Sequence, residues 1–345
     1  MSHLAAVLTE KGSRLVVQSR QTPEPGPNEL LIQVKAIAVN PVDCAQRDLG
    51  FPPISSYPTI IGIDVAGVVV KAGPDVPASA PKPGTRVAAA GTTFYRSGAL
   101  DYGAFQELVL AGSEVVVPLP DGISFEEGAV FPLATLTALS AWYTLGIGLD
   151  TRYTPEQRQV ILIWGGASSV GSIAIQSAKH LGFTVYTTAS QKHHAYLQSL
   201  GADRAFDYKD SDVVEQIVAA VRQDGFTLKI AQCVAPGTLQ SVFDVLKETR
   251  GDEPAKVAHA PPLFPDAPKC EGVDVQFVLP PMEETARTEY MYQVFQGWLK
   301  EGLAAGTVVP SPRVQVEGER GLEGLNAALD VLSKGVSGVK IVVRV

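Results

Sequence analysis

The sequence predicts an α/β protein: a doubly wound parallel sheet inserted in a β-rich domain. Three observations point there. At 345 residues the chain is longer than one hydrophobic core usually supports, so two compact units are expected. Up to about residue 125 it reads as short strands, whereas from about 126 strands alternate with helical patterns. Residues 159–171, Gln-Val-Ile-Leu-Ile-Trp-Gly-Gly-Ala-Ser-Ser-Val-Gly, run from an apolar strand through a glycine-rich turn into an amphipathic stretch at 172–181.

In the first part the strand patterns fall at 4–8, 15–18, 29–39 with apolar and polar residues alternating, 65–70 and 86–90. Pro/Gly-rich connections such as Gly73-Pro74-Asp75-Val76-Pro77 separate them, which suggests an all-β, barrel-like unit. The turn Asn40-Pro41-Val42-Asp43 opens a short helix. Residues 128–149 carry no charge, but Pro132, the threonines and a capping-box pair, Ser124 with Glu127, read as a buried globular helix rather than a membrane span. Strands then start near 160, 184, 204, 229, 256 and 273, with helices near 169, 192, 211 and 237. The tail holds helices at 284–301 and 322–334 and a strand at 339–343, and is expected to pack back on the first domain. The expected division is residues 1–125 with 283–345, and residues 126–282.

Composition narrows the function classes. Hydrophobic content of 46% with 19% charged residues describes a folded chain and excludes disorder. The net charge of −8, with no Lys/Arg cluster to offset it, argues against nucleic acid or an anionic membrane as partner. Cys44, Cys233 and Cys270 are scattered without C-x-x-C spacing, which fits a reducing, cytoplasmic setting and neither disulfides nor structural zinc. The N-terminus has no signal-peptide pattern.

The glycine-rich turn has the order that builds a pyrophosphate pocket: backbone able to approach phosphate, then a helix start presenting free N–H groups to an anion. Gly166, Ser168 and Gly171 take the three signature places, and Ala167, Ser169 and Val170 complete the turn. Serine at the second place adds a hydroxyl able to bond phosphate. An NAD-binding chain usually sets an acid about twenty residues beyond the first glycine. Here the run is Thr187, Thr188, Ala189, Ser190, followed by Lys192, His193 and His194. A ribose 2′-phosphate would meet hydroxyls and positive charge, so the expected cofactor is NADP(H). The alternative reading of Lys192 and the histidines is an ordinary solvated helix start.

Taken together these features resemble the medium-chain dehydrogenase/reductase superfamily, and within it the zinc-independent quinone and enoyl reductases, especially the fungal enoyl reductases that work with polyketide synthases. The carriers are Val39-Asn40-Pro41-Val42-Asp43, Gly62-Ile63-Asp64-Val65-Ala66-Gly67, Pro132-Leu133-Ala134-Thr135-Leu136-Thr137-Ala138, the Gly-Ala-Ser-Ser-Val-Gly turn, Leu200-Gly201-Ala202-Asp203 with Phe206-Asp207-Tyr208, and the closing Gly335-Val336-Ser337-Gly338-Val339-Lys340. The resemblance implies a GroES-like catalytic domain split around a Rossmann NADP-binding domain. It also implies that Asn40 and Asp43 face the nicotinamide end of a cleft and that Tyr208 stacks beside the adenosine half. Two other readings stay open: a turn that merely starts a helix, and a surface aromatic.

Zinc dehydrogenases of that superfamily use a Gly-His-Glu histidine and two cysteines. Here the Gly-His-Glu place reads Gly62-Ile63-Asp64 and the four-cysteine lobe is missing, so no metal site is expected and Cys44 reads as a small buried hydrophobe. The feasible chemistry is hydride addition to an acceptor polarised by conjugation, which needs a hydrogen-bond donor for the oxygen and a proton for the α-carbon. Tyrosines that relatives carry eight and two residues after the turn aspartate are Phe51 and Ala45 here. Thr135, Tyr57, Tyr95, Tyr102 or solvent remain as proton donors. The expected activity is NADPH-dependent reduction of an enone or enoyl C=C bond. A quinone reductase, or a non-catalytic NADPH-binding sensor or partner of a synthase, are the alternatives. The expected substrate is small and apolar, or an acyl chain on a polyketide synthase carrier protein. Residues 273–279 form a candidate dimer edge that Pro280 and Pro281 would cut short, leaving monomer and homodimer both open.

Overall fold

The computed structural model describes residues 1–317 and 321–345. The chain divides into two compact units, Met1–Leu133 with Thr288–Val345, and Ala134–Arg287.

The first unit opens with strands β1 (Ser2–Val7) and β2 (Val16–Gln21), an antiparallel pair, and β3 (Glu29–Ala38). Helix α1 (Pro41–Leu49) precedes β4 (Asp64–Ala72), β5 (Arg86–Ala90), β6 (Leu108–Gly112), β7 (Val116–Pro118) and the single turn α2 (Phe125–Gly128). β3 is the hub. It pairs with β4 along one edge, and β6 takes the other edge from Glu29 to Gln33. Two register shifts in the β3–β4 ladder bend the pair, as β-bulges do in barrel-like sheets. Gly67 is required there, because a Cβ would lie 2.0 Å from the Gln33 carbonyl oxygen. The Ser124–Glu127 capping box forms as the spacing predicts, with bonds of 2.9 and 3.2 Å.

The second unit begins in α3 (Pro132–Leu145), apolar on all sides and correspondingly buried. The stretch Phe125–Leu145 is long and apolar enough to cross a membrane by length and composition alone, yet it is mostly buried inside the protein. Strands β8 (Val160–Trp164), β9 (Thr184–Thr188), β10 (Arg204–Phe206), β11 (Ile230–Cys233), β12 (Ala255–His259) and β13 (Val273–Phe277) alternate with helices. These are α4 (Ser169–Leu181), α5 (His194–Ser199), α6 (Val213–Gln223) and α7 (Leu239–Thr249). The strands form one parallel sheet in the order β10-β9-β8-β11-β12-β13. That is the doubly wound arrangement the sequence predicts, with its reversal of direction between β8 and β11. All five residues of β8 are buried, as a central parallel strand covered on both faces requires. Trp142 of α3 stacks on Phe183 at 5.5 Å and donates to Ser177 Oγ at 3.0 Å.

The tail departs from the expected single helix at 284–301. α8 (Glu284–Tyr292) passes through a π-helical segment, Gln293–Leu299, into α9 (Lys300–Ala305). A strand absent from the sequence reading, β14 (Arg313–Val316), follows, then α10 (Leu325–Ser333) and β15 (Val339–Arg344). β15 lies between β14 and β3, pairing with the latter from Ala36 to Ala38. The last strand therefore completes the edge of β3 that β6 leaves open.

Candidate functional site

In the second unit β8 ends at Trp164, and Gly165 turns the chain with φ +101, a conformation in which side chains are strained. A Cβ on Gly166 would meet Thr187 Oγ1 at 2.1 Å, and one on Gly171 would meet the Gly165 carbonyl oxygen at 2.2 Å. Helix and strand therefore approach as closely as backbone permits. Ser168 is the N-cap of α4: its hydroxyl accepts from the Gly171 N–H at 3.0 Å and donates to the Gly165 carbonyl at 2.8 Å. The hydroxyl that the sequence offers as able to bond phosphate is thus used in holding the turn. Ser168 Oγ and the Ser168 carbonyl take the Gly171 and Ser172 amides, so those of Ser169 and Val170 are the ones the helix leaves unsatisfied. A bare-backbone cradle and a helix start of 13 residues fit a pyrophosphate. Gly165 escaped the sequence reading, because spacing does not reveal which glycine of a pair carries the positive φ.

The end of β9 differs from the expected picture. Thr187 Oγ1 donates to the Ile163 carbonyl at 2.8 Å, and Thr188 Oγ1 accepts from the Gly165 N–H at 3.1 Å. Both threonines are fully buried, so their hydroxyls serve the sheet and the turn. Ser190 Oγ, by contrast, lies 3.4 Å from the Tyr208 hydroxyl, with Tyr208 49% exposed and Lys192 exposed in the single turn Gln191–His193. The structure brings Ser190, Lys192 and Tyr208 to one end of the sheet. It also brings an acid that a count along β9 cannot see. Asp207, after β10, accepts from the Gln191 and Lys209 amides at 3.0 Å each, and these bonds hold its carboxyl below the usual range.

In the first unit the Asn40-Pro-x-Asp turn is buried. Asn40 is the N-cap of α1, and its own N–H donates to Asp43 Oδ2 at 2.8 Å. Its side-chain nitrogen donates to Asp64 Oδ2 at 2.9 Å, and its side-chain oxygen accepts from Lys340. Lys340 Nζ also lies 3.0 Å from Asp64 Oδ2, and Asp64 Oδ1 accepts the Leu133 N–H at 2.6 Å. Asp43 is fully buried and its Oδ1 has no partner among the described residues; burial pushes its carboxyl up to about 7. Sequence reading singled out Asn40 and Asp43 but not Lys340, whose partner lies 276 residues away.

Of the candidate proton donors, Thr135 belongs to the second unit. It is fully buried and its hydroxyl has no partner among the described residues. Tyr102 is committed: its hydroxyl donates to Glu29 Oε1 at 2.6 Å, and burial together with that bond raises it to about 12. Cys44 is buried, lies 3.5 Å from the Leu329 carbonyl, and is pushed up to about 12 by burial. A free thiol of this kind is inert.

The chain is 56% identical over 99% of its length, and 98% of the relative's, to a trans-enoyl reductase of Aspergillus flavipes. It belongs to the medium-chain dehydrogenase/reductase superfamily. Residues 26–121 match the alcohol dehydrogenase GroES-like domain, and residues 169–252 match the zinc-binding dehydrogenase domain. A trans-enoyl reductase of Aspergillus terreus is 58% identical over 83% of this chain and 95% of its own. Among solved structures, a zinc-dependent alcohol dehydrogenase-like protein of Rhizobium etli shares the fold, with a TM-score of 0.80 at 24% identity over 100% of this chain and 98% of its own. Members of the superfamily bind a nicotinamide cofactor. Among the described residues, no group of three or more His, Cys, Asp or Glu is arranged to hold a metal ion.

Proposed function

We propose that the chain is an NADPH-dependent reductase of an activated carbon–carbon double bond, taking an enoyl or enone substrate. The observation that carries this reading is the 56% identity, across essentially the whole chain, with a trans-enoyl reductase. The residues support it. The Gly165–Gly171 turn would hold the pyrophosphate through the Ser169 and Val170 amides. Ser190 and Lys192, beside Tyr208, would hold a 2′-phosphate; β9 itself ends without a carboxylate, and the nearby Asp207 is engaged by the Gln191 and Lys209 amides.

When bound, the nicotinamide supplies hydride to the β-carbon of the acceptor. The chain's own residues have the remaining tasks. The buried Thr135 hydroxyl, unpaired among the described residues, is the group we assign to donate a hydrogen bond toward the acceptor oxygen, and solvent would supply the proton to the α-carbon. Asn40 and Asp43 hold their turn in place from inside the first unit. The acceptor class is small and apolar, or an acyl thioester on a polyketide synthase carrier protein, as the relatives' names suggest. The edge strand β13, with Phe277 39% exposed and Pro280-Pro281 just beyond it, is where a second copy would pair.

Calorimetric titration with NADPH and NADH, followed by incubation with NADPH and a panel of enones, enoyl thioesters and quinones, tests the reading. Tighter binding of NADPH and release of a saturated carbonyl product are expected. Hydroquinone as the sole product would replace the assignment with quinone reduction, and absence of any turnover would overturn both.

A further inference from the structure

The ion pair between Lys340 and Asp64 lies wholly inside the first unit, with side chains 5% and 0% exposed. Burying two such charges carries a desolvation cost, and apolar residues of similar volume often stabilise a protein as well or better. The pair and its two partners come from far apart in the sequence. Lys340 is on the last strand, Asp64 begins β4, Asn40 caps α1, and the Leu133 amide is in the first turn of α3. Asp64 is saturated: one oxygen takes the Leu133 amide, and the other takes both the Asn40 amide nitrogen and the Lys340 ammonium. Asn40 is equally committed through its side chain, and through its backbone N–H it reaches Asp43. A carboxylate at a helix start is favoured by the helix dipole, so Asp64 also seats the first turn of the helix in which Thr135 lies two residues further on.

We propose that Lys340 is a positioning residue for the reductase reaction: by holding Asp64 and Asn40 in one arrangement, it sets both the Asn40–Asp43 turn and the start of α3. The assignment rests on the enoyl reductase reading above. It does not make Lys340 a participant in the chemistry. Its ammonium is spent on Asp64 and Asn40, and neither bond involves a reacting atom.

The test compares wild type with Lys340→Met, Lys340→Arg and Asp64→Asn. In Lys340→Met, kcat for an enoyl thioester is expected to fall at least tenfold, while the KM for NADPH changes less than threefold. Lys340→Arg, which keeps the charge and the donors, is expected to recover most of the loss. Amide hydrogen exchange supplies a readout independent of turnover: protection in peptides covering 38–44 and 130–136 should drop at least tenfold, with peptides of the parallel sheet unchanged. Should Lys340→Met fail to fold, Asp64→Asn is expected to show the same split. A folded Lys340→Met with kcat within twofold of wild type, or loss that Arg does not restore, overturns the proposal. If wild type reduces no acceptor, the enzymatic reading fails on its own, and unchanged exchange at 38–44 and 130–136 would then separately refute the positioning role.

Discussion

Ser168 Oγ stands 3.0 Å from the amide nitrogen of Gly171, so the serine at the middle place of the phosphate turn works as a helix cap. The hydroxyl closes the turn at both ends, because it also reaches back to the Gly165 carbonyl. Ser168→Ala should therefore cost about 1 kcal/mol of stability, and Ser168→Gly only a few tenths. Denaturant titration of the three proteins checks the ranking. A cofactor affinity that collapsed in Ser168→Ala at unchanged stability would show instead that the hydroxyl contacts phosphate.

Gly166 and Gly171 both lack room for a methyl group, but the obstacles differ. At Gly166 the nearest atom is the Thr187 hydroxyl, which can rotate at the expense of its bond to Ile163. At Gly171 it is the backbone carbonyl of Gly165, which cannot move without unmaking the turn. Gly171→Ala is expected to destabilise by about 1–3 kcal/mol or more, and Gly166→Ala by less. Thermal melts of the two variants give the order directly.

The cofactor assignment predicts a selective effect at Lys192. Charge-assisted hydrogen bonds contribute roughly 1.5–3 kcal/mol, so Lys192→Ala should weaken NADPH binding by about ten- to a hundredfold and leave NADH binding nearly unchanged. Fluorescence titration with both dinucleotides measures it. Equal losses for the two would place Lys192 away from the 2′-phosphate.

Asp43 makes stability depend on pH with a definite sign. Burial raises its carboxyl from 3.8 to about 7 in the folded chain. Below pH 3.8 folded and unfolded forms are both protonated. Between 3.8 and about 7 the folded form retains a proton that the unfolded form has lost, so this group's contribution is lost as pH rises through about 7. Asp43→Asn keeps an acceptor for the Asn40 N–H and cannot ionise. Its melting temperature relative to wild type should therefore rise from pH 4 to pH 8, and a difference that stays flat would rule this account out.

The legible parts of the chain were those in which neighbouring residues carry the information. The β8–turn–α4 unit, the Ser124–Glu127 box and the parallel sheet all follow from local periodicity and caps, whose physics acts within a few residues. The candidate nucleotide residues Gly166, Ser168, Gly171, Ser190 and Lys192 were visible for the same reason. β6, β7 and β14 were not, and they exist because β3, β5 and β15 offer them an edge.

Side-chain partnership shows the same divide. A sequence reading can name Asn40, Asp43 and Thr135 by type and spacing, but it cannot say that Lys340 meets Asp64, that Tyr102 is tied to Glu29, or that the Thr187 and Thr188 hydroxyls turn inward. Burial and long-range pairing set those roles, because a polar group taken out of water must bond to whatever the folded chain brings within about 3 Å. Local pattern determines most of the elements; packing between distant segments adds the short edge strands and decides which polar atoms remain free to meet a ligand.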